Sequence, residues 1–248
     1  MAKFFLWLFF LLSADSFVNA QDAAEIIHRA EEKMRGSSLA AQLTITLVRP
    51  TWQREMKMRV WSKGKKRSMI LVTAPERDRG TVFLKRDREV WNYLPSIERN
   101  VKIPPSMMTQ SWMGTDFTND DLVREASVED DYTHTLTGDS TIDGRNCYLI
   151  RMIPKPDAPV TWGQVLVWID KLESIQLRAA FYDEDLQLVS TMTGTEIREL
   201  GGRMLPSCFT MIPADKPGNR TIMRYEALQF EVPLDDAFFS TQNMKSVR

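Results

Sequence analysis

Histidine and cysteine are scarce, with two of each among 248 residues. That leaves few ligands for a zinc or iron–sulfur centre. Neither sign of charge dominates: 32 Lys+Arg stand against 33 Asp+Glu, a net charge of -1. A dedicated nucleic-acid binder carries a basic excess, so that class is set aside. Catalytic signatures are missing as well. The sequence has no GxSxG elbow, no HExxH, no GxGxxG and no P-loop. These absences point away from an enzyme and imply no metal and no cofactor. What is present is an ordinary globular balance, 43% hydrophobic and 26% charged, with 14 Met, 12 Phe and 7 Trp.

Some of that apolar stock is an address. Lys3 supplies a positive start, Phe4–Leu12 is an unbroken apolar run, and Val18-Asn19-Ala20 offers small residues three apart. The run is shorter than the ~20 residues a bilayer span needs, so residues 1–20 read as a secretory signal cleaved near Ala20. No Cys follows it, so no lipid anchor is expected. No later segment is long and apolar enough for a membrane helix. The expected product is one domain, residues 21–248, exported and soluble.

An amphipathic helix opens that domain. Asp22 reads as its N-cap with Glu25 three residues on, Gly36 as its stop, and Ala23, Ile27, Ala30 and Met34 as one apolar face. The period then changes to two. Leu39, Ala41, Leu43, Ile45 and Leu47 alternate with more polar neighbours, and so do Met56, Met58 and Val60. Similar runs, separated by Gly, Pro and Asp turns, recur to Val232 and predict about eleven antiparallel strands.

The middle breaks this rhythm. Ile103–Phe117 fits no strand, and 119–126 reads as one short helix. Met107, Met108, Trp112, Met113 and Phe117 lie in this irregular stretch. Flexible, polarizable Met side chains suit a mobile flap over varied apolar guests, although packing over a core accounts for them equally well. Charge is also segregated: 54–102 holds fourteen Lys/Arg against six Asp/Glu, and 116–145 nine acids against two bases. Solvated sheet faces explain most such runs, and a basic docking face is the sharper reading. His28 and His134 read as surface or boundary residues. Asp116, Asp120 and Asp121 lack the spacing and turn Gly of an EF-hand. Cys147 and Cys208 lie in predicted strands, where a disulfide and two buried thiols are both open readings.

Several stretches resemble one family. They are VWSKGKKRS (Val60–Ser68), APERDRGTVFL (Ala74–Leu84), VWNYLPSIERNVKIPPSMMTQSWMGTDF (Val90–Phe117), DYTHTLTG (Asp131–Gly138), VLVWIDK (Val165–Lys171) and FFSTQNM (Phe238–Met244). Together they resemble the LolA-like outer-membrane lipoprotein-sorting proteins, in the larger branch of that superfamily. The resemblance implies a mainly β fold, a curved antiparallel half-barrel with an N-terminal helix and a helical or loop lid. It also implies a soluble, monomeric periplasmic carrier that binds lipoprotein acyl chains or another lipid for transport towards the outer membrane.

On that reading the cavity and its lid comprise Trp91, Tyr93, Leu94, Met107, Met108, Trp112, Met113 and Phe117. Arg59, Lys63, Lys65, Lys66 and Arg67 form a basic face. The partner would be an inner-membrane transporter, of the lipoprotein-releasing type or of the RND/MMPL type often encoded beside this branch. The alternative is an envelope interaction module or accessory subunit of such an exporter, motivated by the segregated charge. Burying an acyl chain is worth about 0.8 kcal/mol per CH₂, so a carrier needs a real cavity rather than a surface patch.

Overall fold

A computed structural model describes residues 15–87, 89–123, 128–156, 158 and 160–247. The apolar run of the expected signal, Phe4–Leu12, lies outside the described residues. Helix α1 is Asp15–Arg35, so it starts before the expected cap, and Asp22 is an interior residue. Residues 16–21 contain no Gly or Pro, and nothing there halts the backbone. The expected stop is present: Gly36 has φ +63° and its N–H donates to Glu32 O at 2.8 Å. Ala23, Ile26, Ile27 and Ala30 form the buried face.

Thirteen strands follow: β1 (Ser38–Val48), β2 (Gln53–Lys63), β3 (Arg67–Ala74), β4 (Val82–Arg86), β5 (Glu89–Leu94), β6 (Arg99–Lys102), β7 (Tyr132–Ile142), β8 (Arg145–Pro154), β9 (Gln164–Asp170), β10 (Gln176–Tyr182), β11 (Leu188–Leu200), β12 (Arg203–Pro213) and β13 (Arg220–Phe230). They form one sheet in the order β6-β5-β4-β3-β2-β1-β13-β12-β11-β10-β9-β8-β7. Every neighbour is antiparallel, and the first and last strands are joined mid-sheet, Leu39 opposite Phe230 and Leu47 opposite Thr221. The fold is therefore mainly β, one large open antiparallel sheet.

The connectivity leaves two open edges, β6 and β7. Both belong to strands joined by residues 103–131, so this segment must pass from one edge to the other. It carries two short helices, α2 (Asn119–Val123) and α3 (Val128–Asp131). The β6 edge is four residues long and carries Arg99 and Lys102, features that discourage pairing with another chain.

Alternation divides the buried side chains between two faces. On the inner face, Leu43, Ile45 and Leu47 of β1, Met56 and Met58 of β2, and Ile70 and Val72 of β3 join Leu205 and Phe209 of β12 in one cluster. Helix α1 caps a second inner cluster with Tyr132, Ile150, Met152, Val165, Val167 and Ile169. On the outer face of β2–β5, Trp61, Met69, Leu71, Val82 and Leu84 meet the chain's own C-terminal segment through Phe239, Met244 and Val247. Cys147 and Cys208 are buried free thiols on β8 and β12, with three strands between them in the sheet.

Candidate functional site: the cavity under the lid

The two inner clusters do not close on each other. Between them lies a cavity of about 260 Å³, walled by α1, the inner sheet face and the lid segment. Its size is just below the ~300–1,000 Å³ of ordinary small-molecule sites. Its lining is mainly apolar. Six methionines contribute: Met34 from α1, Met58, Met152, Met192, Met211 and Met223 from five different strands. Flexible thioethers can repack around a guest of imperfect fit. Trp162, Phe181 and Phe209 add aromatic surface.

The lid segment supplies Trp112 and Phe117 to this wall. Trp112 is fully buried and packs on Phe83, ring centroids 5.1 Å apart. Of the two open readings, a flap or a loop packed over the core, the segment has the hydrogen bonds of an ordered loop. Ser111 and Thr118 form a β-bridge, Trp112 N–H donates to Phe117 O at 2.9 Å, and Thr115 Oγ1 donates to Trp112 O at 2.7 Å. Its turn puts Met113 and Gly114 at φ +49° and +77°. Two arginines hold that turn: Arg49 donates to Gly114 O at 3.0 Å and pairs with Asp116 at 2.9 Å, and Arg54 donates to Met113 O. Thr221 Oγ1 donates to Asp116 Oδ2 at 2.6 Å and accepts from Asp116 N–H at 2.9 Å. The lid is thus fastened to the start of β13 and to the β1–β2 turn.

The other expected site residues lie elsewhere. Met113 packs at the margin of the large inner cluster. Met108 is buried against Val90 and Ile103, and Met107 is exposed. Trp91 and Tyr93 are on the outer face with Phe239 and Met244, because alternation on β5 turns Val90 inward and its neighbours outward. Leu94 is half-buried at the end of β5 and is not on the cavity wall. The sequence reading missed the strand methionines. Their signal was the inward parity of Met58, Met152 and Met211, which becomes a lining only once the sheet curves.

The polar part of the wall is acidic. Asp120 and Asp121 face it together with Tyr132. Thr118 N–H donates to Asp121 Oδ2 at 2.8 Å and Asp121 N–H to Thr118 Oγ1 at 3.1 Å, a capping box at the start of α2. Trp162 Nε1 donates to Asp121 Oδ1 at 3.2 Å. Burial nevertheless pushes the Asp121 carboxyl above its ordinary value, and the Thr118 and Trp162 bonds oppose that shift. Burial, followed by the charges of Asp120, Asp121 and Asp131, raises the Tyr132 phenol. Gly163 follows Trp162 because a Cβ there would stand 2.4 Å from Asp183 O.

The basic residues are largely met within the chain. Lys63 and Arg67 pair with Asp236 at 2.9 and 3.1 Å, and Lys65 pairs with Glu129 of the acidic stretch. Arg59 stacks over Trp61 at 4.9 Å, and Lys66 is exposed. His28 bonds Glu129 at 3.1 Å, and buried His134 bonds Val128 O at 2.8 Å. Among the described residues no group of three or more His, Cys, Asp or Glu is placed to hold a metal ion.

A lidded open sheet around an apolar cavity is the LolA-like fold, and solved structures agree. A DUF1329 family protein from Desulfovibrio piger superposes with TM-score 0.84 at 21% identity, over 91% of this chain and 99% of that one. A domain from Vibrio parahaemolyticus ascribed to outer membrane lipoprotein sorting gives 0.82 at 21%, over 92% and 100%. A LolA superfamily protein from Nitrosomonas europaea gives 0.77 at 24%, over 89% and 98%. No curated protein matches the sequence. Residues 64–246 match the model of the DUF1329-like family, described as "uncharacterized protein", and the chain belongs to that family.

Proposed function

We propose that this protein is an exported carrier that shelters acyl chains, of a lipoprotein or another lipid, in the cavity between its inner sheet face and its lid. The observation that carries the reading is the apolar lining, with six methionines drawn from α1 and five strands around one space. Trp112, Phe117 and Met113 would govern entry from the lid. No bond is made or broken on this reading, so cargo passes on by differences in affinity. The resemblance to LolA-like proteins and the signal-like residues 1–20 support a periplasmic setting and removal of the leader near Ala20.

The alternative, a docking module for an exporter, rested on segregated charge. The pairing of Lys65 with Glu129 and of Lys63 and Arg67 with Asp236 weakens that motive. Organic extraction of the purified protein followed by lipid mass spectrometry tests the carrier reading. Bound acyl lipid is the expected result. Absence of lipid, together with no binding of an acylated peptide, would overturn it.

A further inference from the structure

We infer that the cavity selects amphiphiles whose polar end donates hydrogen bonds and bears no negative charge. The inference rests on the carrier reading and concerns the head group of its cargo. Among the described residues the charged side chains on the wall are Glu31, Asp120 and Asp121, and no described Lys, Arg or His lines it. Glu31 is met by Arg35 at 2.7 Å. Asp120 accepts from Thr161 Oγ1 at 3.3 Å and stands beside Asp121, whose oxygens are used by Thr118 and Trp162. An anionic head group brought here meets carboxylates of its own sign, in a water-poor space where like charges repel strongly. A hydroxyl or an ammonium instead offers those carboxylates a hydrogen bond.

An independent observation concerns Trp112. Its side chain is fully buried, at 0% solvent exposure, and forms part of the cavity wall. Its indole N–H is buried with no hydrogen-bond partner among the described residues. A buried donor left unpaired is costly, and an ester or hydroxyl oxygen of a guest would pair it. Carboxylates that take donors, beside an indole that seeks an acceptor, suit a hydroxylated, glyceride-like head. An ammonium head satisfies the carboxylates alone.

Three probes with the same chain length separate these chemistries: monopalmitoylglycerol, hexadecylamine and palmitate. Each is titrated at neutral pH into the delipidated protein, below its aggregation threshold, with calorimetry as the readout. The glyceride and the amine are expected to bind, and palmitate about tenfold or more weaker. Asp120→Asn should narrow the palmitate gap, and Trp112→Phe should weaken the glyceride more than the amine. The wild-type comparison stands without either variant. Palmitate binding as tightly as the glyceride would overturn the head-group inference and leave the carrier reading intact. Binding of none of the three would overturn the carrier reading itself.

Discussion

The two faces of β2–β5 are built by one rule and finished differently. On the outer face Trp61, Met69, Leu71, Val82 and Leu84 are covered by Phe239, Met244 and Val247 from the C-terminal segment. On the inner face the same strands present Met58, Val60 and Ile70 to a space the chain does not fill. Alternation makes both faces apolar, so apolarity alone does not mark a binding surface. The distinction lies in whether the chain returns to cover what it exposes. The C-terminal segment covers the outer face, whereas the lid stands over the inner one and is held at its rim by Arg49, Arg54 and Thr221.

Substitutions can break this contrast. The largest effect is expected from Phe239→Ala, which opens a cavity in the filled face and should cost about 3–5 kcal/mol in urea unfolding. Arg49→Ala should follow at about 3 kcal/mol, because it strands the Asp116 carboxylate where both partners are nearly buried. Its diagnostic is hydrogen exchange: amides of 111–118 should lose protection first. If protection falls evenly through the sheet, the lid is not fastened as a separate unit. A finer comparison pairs Met69→Phe with Met192→Phe. Overpacking the filled face should cost about 1–3 kcal/mol, while the cavity face should tolerate the larger ring within about 1 kcal/mol and bind acyl probes less well. Equal costs would mean that the inner space is as tightly packed as the outer core.

The smallest effect expected is a pH dependence from His134. Burial is the main cause that lowers its proton affinity, with the Lys155 charge adding to it; the bond to Val128 O and the Glu129 charge oppose the shift. The unfolded chain therefore binds this proton more readily than the folded one. Stability from the neutral ring is complete above the unfolded value near 6.5 and declines as pH falls below it, down to the lowered native value. Comparing the unfolding midpoints of wild type and His134→Gln across pH 7.5 to 5 checks this. The wild type should lose more on acidification.

Much of the sheet was legible in the residues. Leu43, Ile45 and Leu47, or Met56 and Met58, declare an inward face by spacing alone, and Gly36 ends α1 where a left-handed residue was expected. Strand β6 was not foreseen, because Arg99–Lys102 is short and mostly polar, and its pairing comes from β5 rather than from its own pattern. Of the eight expected cavity and lid side chains, Trp112 and Phe117 line the wall, and Trp91 and Tyr93 lie on the outer face for a related reason. Trp91 and Tyr93 have the right chemistry, but parity alone does not tell inside from outside. The cavity methionines are far apart in sequence, and only the curvature of the sheet brings Met34, Met152 and Met211 to one space. Charge segregation along the sequence likewise did not show which charges meet, since Lys65 and Glu129 belong to opposite segments and pair in the fold.

The joining of β1 to β13 sets a timetable for assembly. Leu39 pairs with Ser62 of β2 on one side, but on the other it finds its partner only in Phe230 of β13. A chain that emerges from its N-terminus can pair β1 through β6 early, but it must hold the free edge of β1 open until β13 arrives. Until then half of the cavity wall is missing, and the apolar faces of β1–β3 lie next to an unpaired strand. Such long-range closure is slow and prone to association with other chains. The container that would keep oily cargo from water is itself, during synthesis, the species most in need of shelter.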